Sequence, residues 1–360
     1  MPKTKNVSPK RGETLLLVGT MKGAFIFRAK RHAWEMGGPY FPGSSVYAMA
    51  YDGKRIWAGP SSMHFGALLR SSDDFGKSWT NPEEANIKFP AKTDAALKNI
   101  WQIVVGEDGT MYCGVEPAAL FVSNDTGITW KLNENLWNHP QRPKWVPGGG
   151  GLCLHTILLD PEERKRIRVA VSTAGMYVTE DGGKSWRPSN KGVRAEFLPD
   201  KYPEFGQCVH KVVQSKQQPD RMFLQNHWGL YRSDDRGESW KDVANGVPSD
   251  FGFAMAIHPE DADTAWIVPL EADMFRCTPE GKLRVYRTRN GGKKWQAMTK
   301  GLPQEDAYEC VVRDAMHADA RGVYFGTRSG KLFASNNEGK SWKTVIDGLP
   351  PVVCMKSAVV

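Results

Sequence analysis

An eight-residue box recurs six times along this chain, and few folds can absorb such a repeat. It first reads Ser72-Asp73-Asp74-Phe75-Gly76-Lys77-Ser78-Trp79. Further copies start at Ser123, Thr179, Ser233, Thr288 and Ser335 and end at Trp130, Trp186, Trp240, Trp295 and Trp342. Successive starts lie 51, 56, 54, 55 and 47 residues apart, a period that belongs to propellers and solenoids. The residue types suit a tight turn between strands. Asp or Asn at the third position accepts hydrogen bonds from its own turn. Gly at the fifth supplies the positive φ a hairpin needs. Trp at the eighth opens the next strand and buries a large face between neighbouring sheets. The boxes take six of the thirteen tryptophans, which accounts for much of that high count. Short apolar segments such as Gly175-Met176-Tyr177-Val178 and Gly229-Leu230-Tyr231-Arg232 precede them. Each unit therefore reads as three strands, the box turn and a fourth strand, which is one four-stranded blade.

Six boxes predict seven blades. Leu15–Gly19, Gly23–Arg28 and the strand at Trp34 form a further unit whose box has decayed to Ala29-Lys30-Arg31-His32-Ala33. After the last box, Val352-Val353-Cys354-Met355-Lys356 has the pattern of an innermost strand. The simplest account is an all-β, seven-bladed β-propeller whose C-terminal strand completes the N-terminal blade, since ring closure removes exposed strand edges. The expected division is a basic tail over residues 1–13 (Lys3, Lys5, Lys10, Arg11), read as a solvated arm, and one propeller over 14–360.

The octapeptide resembles the Asp-box (BNR) repeat, Ser-x-Asp-x-Gly-x-Ser/Thr-Trp. Departures are mild: Asn290 and Asn337 replace Asp, Lys294 replaces Ser/Thr, and Thr179 and Thr288 replace Ser. The resemblance covers nearly the whole chain and implies a β-propeller, as in sialidases, sortilin-type receptors, xyloglucanases and a photosystem II assembly factor. It does not extend to sialidase chemistry. The Arg-Ile-Pro signature that sialidases carry early in the chain is absent: Arg55-Ile56-Trp57 lacks the proline, and the early strand reads Phe27-Arg28-Ala29.

Composition narrows the setting. No run of about 18 apolar residues exists to span a membrane, and Leu15–Val18 is too short for a signal-peptide core, so the expectation is a cytoplasmic chain without a membrane partner. Six cysteines without a CxxC pair read as free thiols. The net charge of +8 invites anionic partners, but no block of five Lys/Arg occurs, which argues against nucleic acid.

Candidate site residues follow from the blade pattern. Within each blade the strands run a to d from the inside outward. The b–c loops and the first residues of each strand a converge on one mouth of the central channel. That places His64, Glu116, His227, Trp228, Glu271, Asp273 and Arg328 at the mouth, together with Cys153-Leu154-His155 and Cys208-Val209-His210, a Cys-x-His pattern that opens two successive strands a. Imidazole and carboxylate are zinc-type ligands, so His155, His210 and His227 are the metal candidates. His beside Glu also does acid–base work, so His155, His210, Glu116 and Glu271 are the catalytic candidates. The opposite reading makes His155 and His210 hydrogen-bonded core residues. The d–a loops after Trp79, Trp130 and Trp186 are long and carry Phe89, Trp137, Arg142, Lys144, Trp145, Arg194, Phe197, Tyr202 and Phe205. These suit a sugar ring or an acidic group, or a small satellite core under the loops.

The functional expectation is a propeller that binds a small molecule, carbohydrate or protein at the loop-rich mouth, without an assigned cofactor. One alternative is a hydrolase or lyase with a His/carboxylate or metal site there. The other is a glycosidase-like protein using the loop aromatics, with Glu116 and Glu271 or Asp273 as its carboxylate pair.

Overall fold

The four boxes with Asp at the third position fold as the same hydrogen-bonded knot, and the two with Asn keep its backbone part. In a computed structural model, which describes residues 4–30, 33–81 and 86–360, Ser72 Oγ donates to Asp74 Oδ1 at 2.8 Å and accepts from the Gly76 N–H at 2.8 Å. Asp74 in turn accepts the Ser78 N–H at 2.9 Å and the Ser78 hydroxyl at 2.6 Å. The same bonds recur around Asp125, Asp181 and Asp235. Asn290 keeps the backbone bond from Lys294 at 2.9 Å; lysine offers no hydroxyl, so its partner bond is missing from that box. The donors hold the Asp125 carboxyl down to about 2, chiefly through the Thr129 hydroxyl and N–H. The fifth-position glycines have positive φ as expected, but so does the fourth position, including non-glycine Phe75, Thr126, Arg236 and Glu338. At Gly127 the close approach is also tertiary: a Cβ there would lie 2.7 Å from the Trp57 ring.

These turns belong to seven antiparallel sheets. Six run a to d outward in four strands, whereas in blade 2 the third strand is split into Gly66–Ala67 and Arg70–Ser72, both paired with Ile56–Ser62. The innermost strands of blades 2 to 7 are Ser45–Tyr51, Asn99–Val105, Leu154–Leu159, Val209–Gln214, Gly252–Ile257 and Met316–Asp319. Blade 1 takes its innermost strand, Val352–Val359, from the C-terminus; it pairs with Thr14–Thr20 in the register Leu16↔Ser357 and Val18↔Met355. The ring is thus closed as the sequence predicts. Apolar clusters fill the spaces between neighbouring blades. Trp186, Trp240, Trp295 and Trp342 are buried there. Three of them bond back to the preceding blade or its outgoing loop: Trp186 Nε1 to Asn133 Oδ1, Trp240 Nε1 to the Ser189 carbonyl and Trp295 Nε1 to the Val243 carbonyl.

Two expectations need correction. The segment ahead of blade 1 is not a free arm over its described part. Val7 is fully buried, Lys5 pairs with Gly38, and the Arg28 guanidinium donates to the Ser8 carbonyl. Lys3, and Arg31 and His32 of the decayed box, lie outside the described residues. The innermost strand of blade 7, which the sequence pattern predicts to open at Tyr308-Glu309-Cys310, begins instead at Met316. Residues 309–315 instead run along the channel mouth, with Arg313 donating to the His210 carbonyl and Lys211 Nζ meeting Asp314. Among the described residues no helix is long and apolar enough to cross a membrane, and all six cysteines are free thiols.

Candidate functional site

A pocket of about 780 Å³ opens at the mouth, walled by the d–a loops that leave blades 3 and 4. Each loop is anchored from below. In the first, Asn133 caps the turn Glu134–Trp137 by accepting the Leu136 N–H at 2.9 Å. Arg142 then lies over Trp137 at 3.6 Å and beside Trp145 at 5.3 Å. Trp145 is buried and donates to the Tyr177 hydroxyl at 2.8 Å. In the second loop, buried Asn190 accepts from the Met176 N–H and donates to the Met176 and Glu204 carbonyls. Buried Gln207 donates to the Pro203 carbonyl at 2.6 Å. On these supports Val146, Pro147, Phe197, Leu198 and Phe205 form an apolar wall.

The floor is polar. Cys208, His210, His227, Asp273, Arg276 and Arg313 line it, with Phe253 stacked on His210 at 4.2 Å. His210 Nδ1 lies 2.6 Å from the Gly252 carbonyl. A carbonyl only accepts, so Nδ1 carries the proton and Nε2 carries the lone pair in the neutral ring. Nε2 faces the Cys208 sulfur at 3.6 Å. Burial holds His210 well below the ordinary imidazole value and pushes the Cys208 thiol up to about 11. His227 is half-buried, also lowered by burial, and lies 3.9 Å from Asp273 Oδ2. Asp273 is held by Arg276, and Glu204 accepts from Gln141 at 2.8 Å. Arg313 sends Nε to the His210 carbonyl at 2.7 Å, and its guanidinium lies over Trp101. Among the described residues it has no carboxylate within ion-pair distance.

The residues singled out from the sequence scatter more widely than this pocket. His210, His227 and Asp273 line it, and Trp228 packs between His227 and Phe197 just behind the wall. His155 does not reach it. That ring is fully buried, with Nε2 on the Val209 carbonyl at 3.0 Å and Nδ1 on the Thr156 hydroxyl at 2.9 Å, which is the core reading. Trp137 and Trp145 form the satellite core under the first loop rather than an open stacking platform. His64 is exposed in the b–c turn of blade 2, and Arg328 sits at the Tyr47 hydroxyl. Glu116 accepts from Trp101 Nε1 at 3.2 Å. The Glu271 side chain is exposed, while its N–H bonds to the Cys277 carbonyl. None of these four belongs to the pocket lining.

Sequence reasoning missed Arg276 and Arg313. The b–c connection of blade 6 spans residues 270–284, far longer than a turn, and Arg276 lies in its middle. The available signal was the distance between the strand ending at Pro269 and the box at Thr288. Arg313 was hidden because residues 309–315 look like the start of a regular strand. The same long connection exposes Met274 and Phe275 at the rim.

Comparison with known proteins agrees with this architecture. A family model described as Sortilin, neurotensin receptor 3 (Sortilin-Vps10) matches residues 174–304. The oligoxyloglucan-reducing end-specific xyloglucanase of Emericella nidulans is 24% identical over 318 residues, covering 79% of this chain and 36% of that protein. A probable enzyme of the same description from Neosartorya fischeri is 24% identical over 224 residues, covering 53% and 25%. The chain thus spans about a third or less of these relatives' length. Among solved structures, YCF48 bound to D1 peptide superposes with a TM-score of 0.55 at 14% identity, covering 84% of this chain and 81% of that one. An ancestral GH74 enzyme superposes with a TM-score of 0.53 at 17% identity, covering 84% and 38%.

Proposed function

We propose that this chain, an Asp-box (BNR) repeat β-propeller, binds a small molecule with an apolar body and an anionic head in the pocket between its long loops. The carrying observation is Arg313, a guanidinium on the pocket floor without a carboxylate partner among the described residues. A cation without a counter-ion on the floor of a concave, mostly apolar cleft selects an anionic group and fixes its orientation. Val146, Phe197, Leu198 and Phe205 would cover the apolar body.

The xyloglucanase relatives and the GH74 superposition favour a second reading, a glycosidase-like site. A glycosidase needs two free carboxyl groups flanking the substrate. In this pocket Asp273 is paired with Arg276, Glu204 accepts from Gln141 and Asp200 accepts the Tyr202 N–H. Among the described residues the pocket thus offers no two free carboxyl groups, whereas Arg313 is a cation without a carboxylate partner and gives the anion-binding reading the stronger support.

The test titrates the protein with a panel of aryl-alkanoic carboxylates, their neutral amides and xyloglucan oligosaccharides, followed by calorimetry. Carboxylates should bind at least tenfold more tightly than their amides, and Arg313→Gln should erase that preference. Binding of oligosaccharides alone, with release of reducing ends, would overturn the proposal in favour of the glycosidase.

A further inference from the structure

On the floor of the pocket, three side chains from two adjacent segments converge, and the hydrogen-bonding contact among them is the long one between the Cys208 thiol and His210 Nε2 at 3.6 Å. Cys208 Sγ, a ring nitrogen of His210 and one of His227 all lie within 4.8 Å of one another. Cys208 immediately precedes the innermost strand of blade 5, Val209–Gln214, His210 is its second residue, and His227 comes from the b–c loop of the same blade. We propose that Cys208, His210 and His227 form a three-ligand site for a divalent cation of zinc type, with its fourth position open to the pocket.

Three observations carry this. The first is metric. Zinc–sulfur and zinc–imidazole bonds of about 2.3 and 2.0–2.1 Å at a tetrahedral angle place sulfur and nitrogen about 3.6 Å apart. The Cys208 Sγ to His210 Nε2 separation is 3.6 Å. The second is the state of His210. Its side chain is more than nine-tenths buried, its Nδ1–H is spent on the Gly252 carbonyl at 2.6 Å, and its lone pair on Nε2 points at the cluster. A ligating histidine characteristically has its other ring N–H held in this way, which fixes both tautomer and orientation. The third is the outer carboxylate. Asp273 Oδ2 lies 3.9 Å from His227 Nε2, within the range a small rotation closes, and it supplies negative charge against Arg276 and Arg313, the two cations that face the cluster.

The donor set decides the class of ion. One thiolate and two imidazoles suit zinc and other borderline or soft ions, whereas magnesium and calcium demand oxygen ligands. Loading is proton-balanced: the Cys208 S–H bond breaks, sulfur binds the ion as thiolate, and one proton leaves to solvent, while both imidazoles bind through lone pairs they already carry. Three protein ligands with an open fourth position is the arrangement of reactive rather than purely structural zinc. The inference stands on these three residues and does not depend on which organic ligand the pocket takes.

The experiment uses the full chain, stripped of metal with a chelator and titrated with cobalt(II) as a spectroscopic substitute and with zinc(II) in competition with a chromophoric chelator. One ion per chain is expected, with a tetrahedral cobalt spectrum that includes a thiolate charge-transfer band. Cys208→Ser should lose that band and weaken zinc at least tenfold, and His227→Ala should weaken it similarly. Cys153→Ser, which removes the corresponding thiol one blade earlier, should change neither. Thermal melts of each variant, read by tryptophan fluorescence, separate loss of a ligand from loss of the fold. Absence of stoichiometric binding by the folded wild-type chain, or tight binding retained in folded Cys208→Ser and His227→Ala, would overturn the site. Carboxylate titration of the metal-free protein keeps the two proposals apart: binding there with no metal uptake leaves the anion pocket standing alone.

Discussion

Cys153-Leu154-His155 and Cys208-Val209-His210 open successive innermost strands with the same pattern, yet the fold uses them differently. Both histidines reach sideways to a carbonyl at the start of the next blade: His155 to Val209 through Nε2, His210 to Gly252 through Nδ1. The divergence comes from the residue that follows. After His155 stands Thr156, whose hydroxyl closes the remaining ring nitrogen at 2.9 Å. After His210 stands Lys211, which turns away to Asp314. The cysteines diverge too. Cys153 has the Arg313 guanidinium at 3.9 Å, whereas Cys208 has the open nitrogen of His210 at 3.6 Å. A repeat can therefore carry one motif in two roles, a structural tie in blade 4 and an available donor pair in blade 5. The choice lies in neighbours a single residue away.

The largest test of this contrast removes the partner that draws Lys211 aside. Asp314 and Lys211 are both buried, and Lys356 lies 3.6 Å from the same carboxylate. Lys211 is held below its ordinary value by burial and Asp314 is held below its own by the two ammonium groups. Breaking one side of such a pair leaves an uncompensated buried charge and typically costs about 3–5 kcal/mol. Asp314→Asn should lower stability by that order in denaturant titrations. A loss below about 1 kcal/mol would show that channel water hydrates Lys211 and that the ion pair does not position it.

A smaller effect follows from protons. His155 is completely buried and His317 partly so; both are held below the ordinary imidazole value, His317 to about 3, mainly by burial. The unfolded chain takes up protons near pH 6.5 while the folded chain does not, so stability is fully present above about pH 6.5 and falls with acidification. Each such group removes up to about 1.4 kcal/mol per pH unit below that point. For His317 the loss continues toward about pH 3. Stability measured between pH 7 and 4.5 should show this slope, and His155→Gln should shrink it. An unchanged slope in that variant would mean that His155 titrates normally and is not the closed structural tie of blade 4.

The fold was legible because its information is local. A box specifies its own turn: Asp125 collects its bonds from Ser123 and from residues 128 and 129, so eight residues suffice to recognise it. Ring closure was legible because the strand at Val352 has apolar residues and no other partner to pair with. The site was only partly legible because its parts meet across blades. Arg313, Arg276 and Phe197 belong to three different connections, and nothing in their local sequence says that they share a pocket. Direction was the other missing quantity. The sequence places His155 and His210 at equivalent points of two strands, but which ring nitrogen remains open depends on Thr156, Lys211 and the carbonyl each ring meets.

The finest test edits that single neighbour. Thr156→Val keeps the shape and burial of the side chain and removes the hydroxyl that closes His155 Nδ1. Losing one buried hydrogen bond costs about 1 kcal/mol, so the variant should stay folded with a slightly lower midpoint. The freed nitrogen should not create a second ion site, because among the described residues no third ligand stands beside Cys153 and His155, and Cys153 already lies against the Arg313 guanidinium. Cobalt titration should therefore give the same stoichiometry as the wild-type chain. A second equivalent of tetrahedral cobalt would show that the two Cys-x-His strands differ by the threonine alone, and that Arg313 has no part in keeping the blade 4 motif closed.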